Sequence, residues 1–485
     1  MFSHIILISN SELQKKYNHK LFNIINKISF FYEKELYSKY YAWYKAIKIF
    51  GILNLLKYEE ITFMTDESFG PIWELDKYFF KFEKLEKVDF WGIISLNNTK
   101  IFDYFITFKN NIIKNKIFIE FWEKEKLFKY NKNINITEYF TNKNFSFKTI
   151  HNLNNFGDEE KMDILIKKIP FFRFSDIINS SNIFFFILER IYKYSNYPID
   201  NIIFHISKFI NPDNINILPF KYLKNIKHKN SVVKKIAIHL HIFYPKLLKD
   251  FIYYFKQNID YQFDLYITTT NEQKKKIIIK KLYKYKKLIK FNFNFYVIIT
   301  INKGRDIYPM VQIKNYLSNY DYIGHFHDKG TKMNYYLLDS WTKDLMYMMI
   351  NCSNNIISNF IENDELGIVI ADIPSLYRYK INDKNYNKRL FVLIDKIWNG
   401  LKIEKKLKIN EKKTFVYSYG TFLWFKFDAL KPFFDIKEKY IPNEPLGDCT
   451  ILHLIERLFV YIAWSQNYDF KISTNLIQIP AYLDL

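Results

Sequence analysis

Only two cysteines and eleven glycines occur in 485 residues, and no apolar run is long enough for a membrane span. Each shortage excludes something. Cys352 and Cys449 cannot frame a disulfide-stapled fold and fit a reducing cytosol. A phosphate-cradling Gly-rich loop, a nucleophile elbow and zinc-ligand spacing are all missing, which argues against a P-loop enzyme, a serine hydrolase and a zinc protein. The apolar cluster at 184–188 is cut short by Glu189 and Arg190. The opening MFSHIILISNSEL has neither a basic lead nor a small-residue cleavage site, so it reads as a strand. The expectation is a cytoplasmic protein, soluble or peripheral at the inner face of the cell membrane.

Lys, Asn, Ile, Tyr and Phe dominate, with 49% apolar and 20% aromatic residues. AT-rich coding produces that bias, so it carries little functional weight. The formal charge of +22 admits nucleic acid, an anionic membrane face or phosphate-bearing ligands. Because the lysines are dispersed, as on solvated faces, nucleic acid is not expected as a partner. The densest run, 274–290, alternates Lys with Ile, Leu and Tyr and predicts a basic amphipathic helix able to rest on a membrane.

The rest of the chain is organised around the stretch 295–332. A β-branched strand at 296–301 breaks at Asn302-Lys303-Gly304, with Arg305 and Asp306 next. A helix at 307–319 leads into a strand at 322–326 that delivers His325, His327, Asp328 and Lys329. This βαβ rhythm predicts an α/β sheet whose ligand sits beyond the strands' carboxyl ends, where one ligand could touch both polar turns. Upstream, 1–150 alternates strand and helix signals: strands at 5–8, 60–64, from 88 and 101–108, and helices at 22–50 and 112–122. Residues 151–230 read as a helical connector, and 231–485 as a second α/β domain that ends in a strand, Gly-Thr turn and strand over 415–427 and a helix at 450–464. The two α/β halves resemble each other, Asp66 standing where His327-Asp328-Lys329 stands and Asp89-Phe90-Trp91-Gly92 paralleling Glu365-Leu366-Gly367. The first copy reads as truncated, beginning one strand late.

A sugar-nucleotide site needs cations or a metal for the diphosphate and a base for the acceptor hydroxyl. The second half offers both. His325, His327, Lys329 and Lys332 lie at one strand end, and Arg305 and Asp306 at its neighbour. Asp448 opens the last helix, where it serves either as base or as a plain N-cap. His453 and Arg457, one turn apart, face phosphates unless Arg457 simply pairs with an adjacent acid. His239 and His241 share one strand face; with no third ligand in register they read as packing or hydrogen-bonding groups. Asp328 is the one carboxylate available to a metal there, so metal use stays open.

At these residues the chain resembles the rhamnan synthesis F family. The matching pieces are HLHIFYPKLL, FDLYITT, NKGRDIYP, YDYIGHFHDKGTK, YGTFLWFKFDALKP and EPLGDCTILHLIER, with ISNS, FMTDESFGPI and VDFWGI upstream. The resemblance implies a glycosyltransferase with two GT-A-like (Rossmann-like) α/β domains, the first truncated. It also implies a nucleotide-sugar donor such as dTDP-rhamnose, a growing cell-surface polysaccharide or lipid-linked glycan as acceptor, and magnesium or manganese as an optional metal. It carries Asp448 as the catalytic base. Gly304, Arg305, Asp306, His325, His327, Lys329, His453 and Arg457 become donor-binding positions, and Thr450 and Glu456 fall on motif positions too. Departures are Asp328-Lys329-Gly330-Thr331 where the family tends to have Thr-Lys-Lys-Ser, Cys449 inside its Asp-Gly-Thr, and Tyr40-Tyr41-Ala42-Trp43 in place of a Gly-Phe-Asp before Trp. The competing reading is a non-catalytic glycan-binding or scaffold component of a polysaccharide synthesis complex.

Overall fold

The computed structural model describes residues 4–9, 28–131, 134–153, 162, 164, 167–175, 184–214, 217–226, 234–328, 335–375, 384–407, 415–443 and 451–475. The chain divides into two compact units, Met1–Ile202 and Ile203–Leu485. The boundary falls inside the segment expected as a connector.

In the first unit β1 (Ile5–Ser9) and β2 (Ile28–Tyr32) form a parallel pair of their own. The larger sheet holds β3 (Glu60–Met64), β5 (Phe90–Leu96), β6 (Lys100–Ile101), β7 (Phe105–Lys109) and β8 (Phe147–Leu153), while β4 (Ser68–Phe69) pairs with β9 (Phe172–Arg173). Its order is β3-β7-β5-β6, with β8 on β5. Only β5–β8 is parallel. The aromatic richness goes into the core of this unit, where Trp43, Phe63, Phe108, Phe118 and Trp122 are buried together. Phe63 stacks on Trp122 at 5.0 Å between centroids, an arrangement that adds to the area each ring buries.

The second unit contains β10 (Ile236–His241), β11 (Asp264–Thr269), β12 (Asn294–Ile299), β13 (Tyr322–His327), β14 (Leu366–Ala371), β15 (Leu423–Phe425) and β16 (Asp469–Ser473). They make one sheet in the order β12-β11-β10-β13-β15-β14-β16. β15 runs antiparallel to both neighbours and every other pair is parallel. Both faces are covered, as a mostly parallel sheet requires. Alternation sends Ile236, Ile238, Leu240, Leu265 and Ile267 into one core with helix Leu248–Asn258 and helix Ser353–Glu362. Ala237, Tyr266 and Ile323 go to the other, under helices Ile307–Gln312 and Ile451–Ser465.

Several sequence expectations shift. Of the helix expected over 22–50, residues 22–27 lie outside the described residues, β2 takes 28–32, and a helix runs from Lys39, capped by Ser38. The helix over 307–319 breaks at Ile313 into Ile307–Gln312 and Lys314–Leu317. The strand over 101–108 splits into β6 and β7. The Gly-Thr turn expected inside 415–427 is present as the short 3-10 turn Tyr419–Thr421, with Gly420 and Thr421 at positive φ, and of the two strands expected around it only β15 forms. The basic helix is present as Glu272–Ile289, and its apolar stripe, Ile278, Leu282 and Tyr285, faces inward. Among the described residues no helix is long and apolar enough to cross a membrane.

Candidate functional site

In the second unit the strand order reverses between β10 and β13, and such a reversal opens a crevice at the strands' carboxyl ends. One face of the sheet changes character along its strands there. It begins apolar with Ala237, Tyr266 and Ile323 and ends polar with His239, His241, Thr268, His325 and His327. Register makes the histidines a two-by-two array: His239 lies opposite His325, and His241 opposite His327.

The array is hydrogen-bonded in one direction. His239 and His325 are fully buried, and burial together with the neighbouring histidines holds the His239 pKa well below its usual value, so the ring is neutral. His241, also desolvated, is lowered to about 3. His325 places Nε2 3.4 Å from Asp306 Oδ2 and Nδ1 2.9 Å from His239 Nδ1. A carboxylate only accepts, so His325 donates Nε2–H to Asp306, and with that single proton on the ring its Nδ1 accepts from His239. His239 Nε2 then accepts from the Thr268 hydroxyl at 2.9 Å, and that oxygen accepts from His241 Nδ1 at 2.9 Å. Every link points toward Asp306.

Asp306 ends the turn after β12. Gly304 (φ 68°) and Arg305 (φ 53°) are left-handed in that turn, and a Cβ on Gly304 would lie 2.6 Å from Ile441 Cγ2. Lys303 bridges to Asn443 and pairs with Glu438 at 3.0 Å, which anchors the turn. Arg305 is exposed at its tip. Burial would raise the Asp306 pKa, but His327 and the His325 hydrogen bond outweigh it and hold the carboxyl well below its usual range. His327 Nε2 lies 3.8 Å from Asp306 Oδ2. Both His327 ring nitrogens also face carbonyls, Asp328 O at 3.0 Å and Gly420 O at 2.8 Å, which call for two donors.

The turn at 419–421 carries this network onward. Thr421 N donates to Glu456 Oε1 at 3.1 Å, and Arg457 lies 3.7 Å from Glu456 Oε2. Arg457 is 7% exposed, its guanidinium 4.4 Å from the Tyr417 ring and donating to His453 O at 2.8 Å. Asp306, His325, His327, Glu456 and Arg457 thus share one edge of the sheet.

Asp328, the carboxylate considered for a metal, is buried just beyond the end of β13. Its two oxygens accept from the backbone N–H groups of Phe243 and Tyr244, tying the end of β13 to the end of β10. Burial raises its pKa to about 6 against those two hydrogen bonds. Among the described residues no group of three or more His, Cys, Asp or Glu is placed to hold a metal ion. Lys329, Asp448, Thr450 and Cys449 lie outside the described residues.

Thr268, Tyr417 and the Gly420 carbonyl escaped sequence reasoning. The i,i+2 pair His239/His241 was the available signal, but only register could reveal that a second such pair lies beside it.

The profile of the rhamnan synthesis protein F family matches residues 5–468. No curated protein matches the chain. A solved mannosyltransferase from Pyrobaculum calidifontis, in complex with GDP-Man and Mn2+, is similar over 62% of this chain and 67% of its own, at 7% identity and a TM-score of 0.30.

Proposed function

The chain belongs to the rhamnan synthesis protein F family, and on that premise we propose that it is a glycosyltransferase with a GT-A-like second unit. It moves a sugar, rhamnose by the family's name, from a nucleotide-sugar donor to a growing cell-surface polysaccharide or lipid-linked glycan. One observation carries this reading: a buried, directional hydrogen-bond chain ends on Asp306 at the carboxyl edge of the sheet, beside the point where strand order reverses.

In this scheme Asp306 orients the nucleotide or donor sugar. A carboxylate kept ionised by two histidines can accept hydrogen bonds from sugar hydroxyls without exchanging protons with them. Arg305 and Lys329 meet the diphosphate, and His327, at the end of β13, lies beside Asp306. Buried Arg457 supports the 419–421 turn with Glu456 and adds positive potential from behind. Asp448 is the base that takes the acceptor's proton. The described residues do not fit a metal, so no step is routed through one. The basic outer face of Glu272–Ile289 holds the protein at an anionic membrane surface where a lipid-linked acceptor would lie.

The test supplies dTDP- and UDP-sugars with a lipid-linked acceptor and follows transfer and donor hydrolysis. Activity in the wild type with loss in Asp448→Asn is expected. Neither reaction in the wild type, or full activity in Asp448→Asn, overturns the assignment.

A further inference from the structure

In the second unit β12, β11, β10 and β13 are parallel neighbours, so their carboxyl ends stand side by side at strand spacing, about 4.8 Å. Arg305 follows β12 and Asp328 follows β13. Phe243 follows β10. β11 runs through Thr270 and the N-cap Asn271 into helix Glu272–Ile289, whose first turn carries Lys274.

Lys274 turns back over the sheet edge. Its Nζ donates to the Thr270 hydroxyl at 3.1 Å and stands 3.2 Å from the centroid of the Phe243 ring. Phe243 is fixed in turn, its backbone N–H donating to Asp328 Oδ1 at 3.0 Å. The side chain thus bridges from β11 to β10, the strand that borders the reversal of strand order. A surface lysine ordinarily carries its ammonium out into water. Here partial burial lowers the pKa, and only the nearby Asp328 opposes the shift. Desolvation, with Lys274 among the neighbouring charges, also keeps His241 neutral. An ammonium has three N–H donors, and the hydroxyl and the ring that hold this one are both uncharged. A positive charge is therefore fixed in place at the crevice with donor capacity left for an anion.

We propose that Lys274 binds the diphosphate of the nucleotide-sugar donor from the β11 side of the crevice. This rests on the donor-binding role proposed for the same edge and adds a residue to it. Arg305 and Lys274 follow neighbouring strands, so the edge presents two cations next to each other, which suits a ligand bearing two phosphates. Thr270 and Phe243 hold the ammonium before the ligand arrives, which reduces the side-chain entropy lost on binding.

The test is calorimetric titration of the full chain with inorganic pyrophosphate. Lys274→Met keeps an apolar stem over Phe243 and removes the charge. It is expected to weaken binding on the order of tenfold, and Lys274→Arg to restore most of the affinity. Lys284→Met removes the same charge from an exposed position of the same helix and is expected to leave the affinity unchanged. A lysine with a merely structural role would shift the melting midpoint without producing this contrast. Equal binding by wild type and Lys274→Met, equal losses in the two Met variants, or a wild type that does not bind pyrophosphate would each overturn the proposal. Sugar transfer, assayed separately on the wild type, tells whether the donor reading falls with it.

Discussion

His239 and His325 meet Nδ1 to Nδ1 at 2.9 Å across the β10–β13 pair, both wholly buried. Two like nitrogens at that distance require one to donate and the other to accept, so the pair encodes a direction. His239→Ala is expected to lower stability by about 2–4 kcal/mol, from the cavity and from the acceptor left unpaired on His325. His239→Gln, which can still donate, should recover part of that loss. Urea unfolding of the two variants checks both statements.

The same cluster makes stability depend on pH. Unfolded histidines take up protons below about pH 6.5, whereas folded His239 and His241 stay neutral, so acidification favours the unfolded chain. Asp328, raised to about 6, binds its proton earlier when folded and offsets one of the two. One net proton remains. Stability is therefore expected to fall by ~1 kcal/mol per unit as pH drops from about 6 toward 4. Below that range it falls further as the low-pKa Asp306 carboxylate is protonated. The measurement is the denaturation midpoint against pH, and His241→Gln should flatten the slope.

Asp306→Asn keeps the shape of the side chain and removes its charge. Transfer is expected to drop on the order of a hundredfold in kcat, and the thermal midpoint to fall as well, because the variant loses the stability that the low-pKa carboxylate contributes. Steady-state kinetics on the nucleotide-sugar donor, beside a melting curve, separates the two effects.

At Gly304 the backbone is left-handed, and a methyl group would press on Ile441 and Tyr308. Gly304→Ala should cost about 1–3 kcal/mol and displace Asp306, so affinity for donor falls together with stability. Chemical denaturation and calorimetric titration with donor report each.

Lys221 is fully buried, with Nζ 2.5 Å from Asp469 Oδ1 and 2.6 Å from Ser207 Oγ. Lys221→Met strands a buried carboxylate and should destabilise by about 3–5 kcal/mol. Adding Asp469→Asn should return much of it, a non-additivity that a double-mutant cycle measures.

Much of the frame was legible from local pattern. The run that became β14 is continuously apolar, as a sheet covered on both faces favours, and those that became β10, β11 and β13 alternate apolar residues with His or Thr toward their carboxyl ends. Breakers placed the turn at 302–306, and Gly420-Thr421 placed the turn at 419–421. Short strands were less legible, since nothing local separates the run before that turn, at 415–418, from β15 after it. Composition, α/β rhythm and the polar ends of strands are properties of neighbours in sequence, and the chain determined them alone. Which histidine faces which, and that Asp328 clamps the backbone at Phe243 and Tyr244, are matters of register. Register is set by contacts between residues as much as 86 positions apart, like His239 and His325, and only the folded chain decides it.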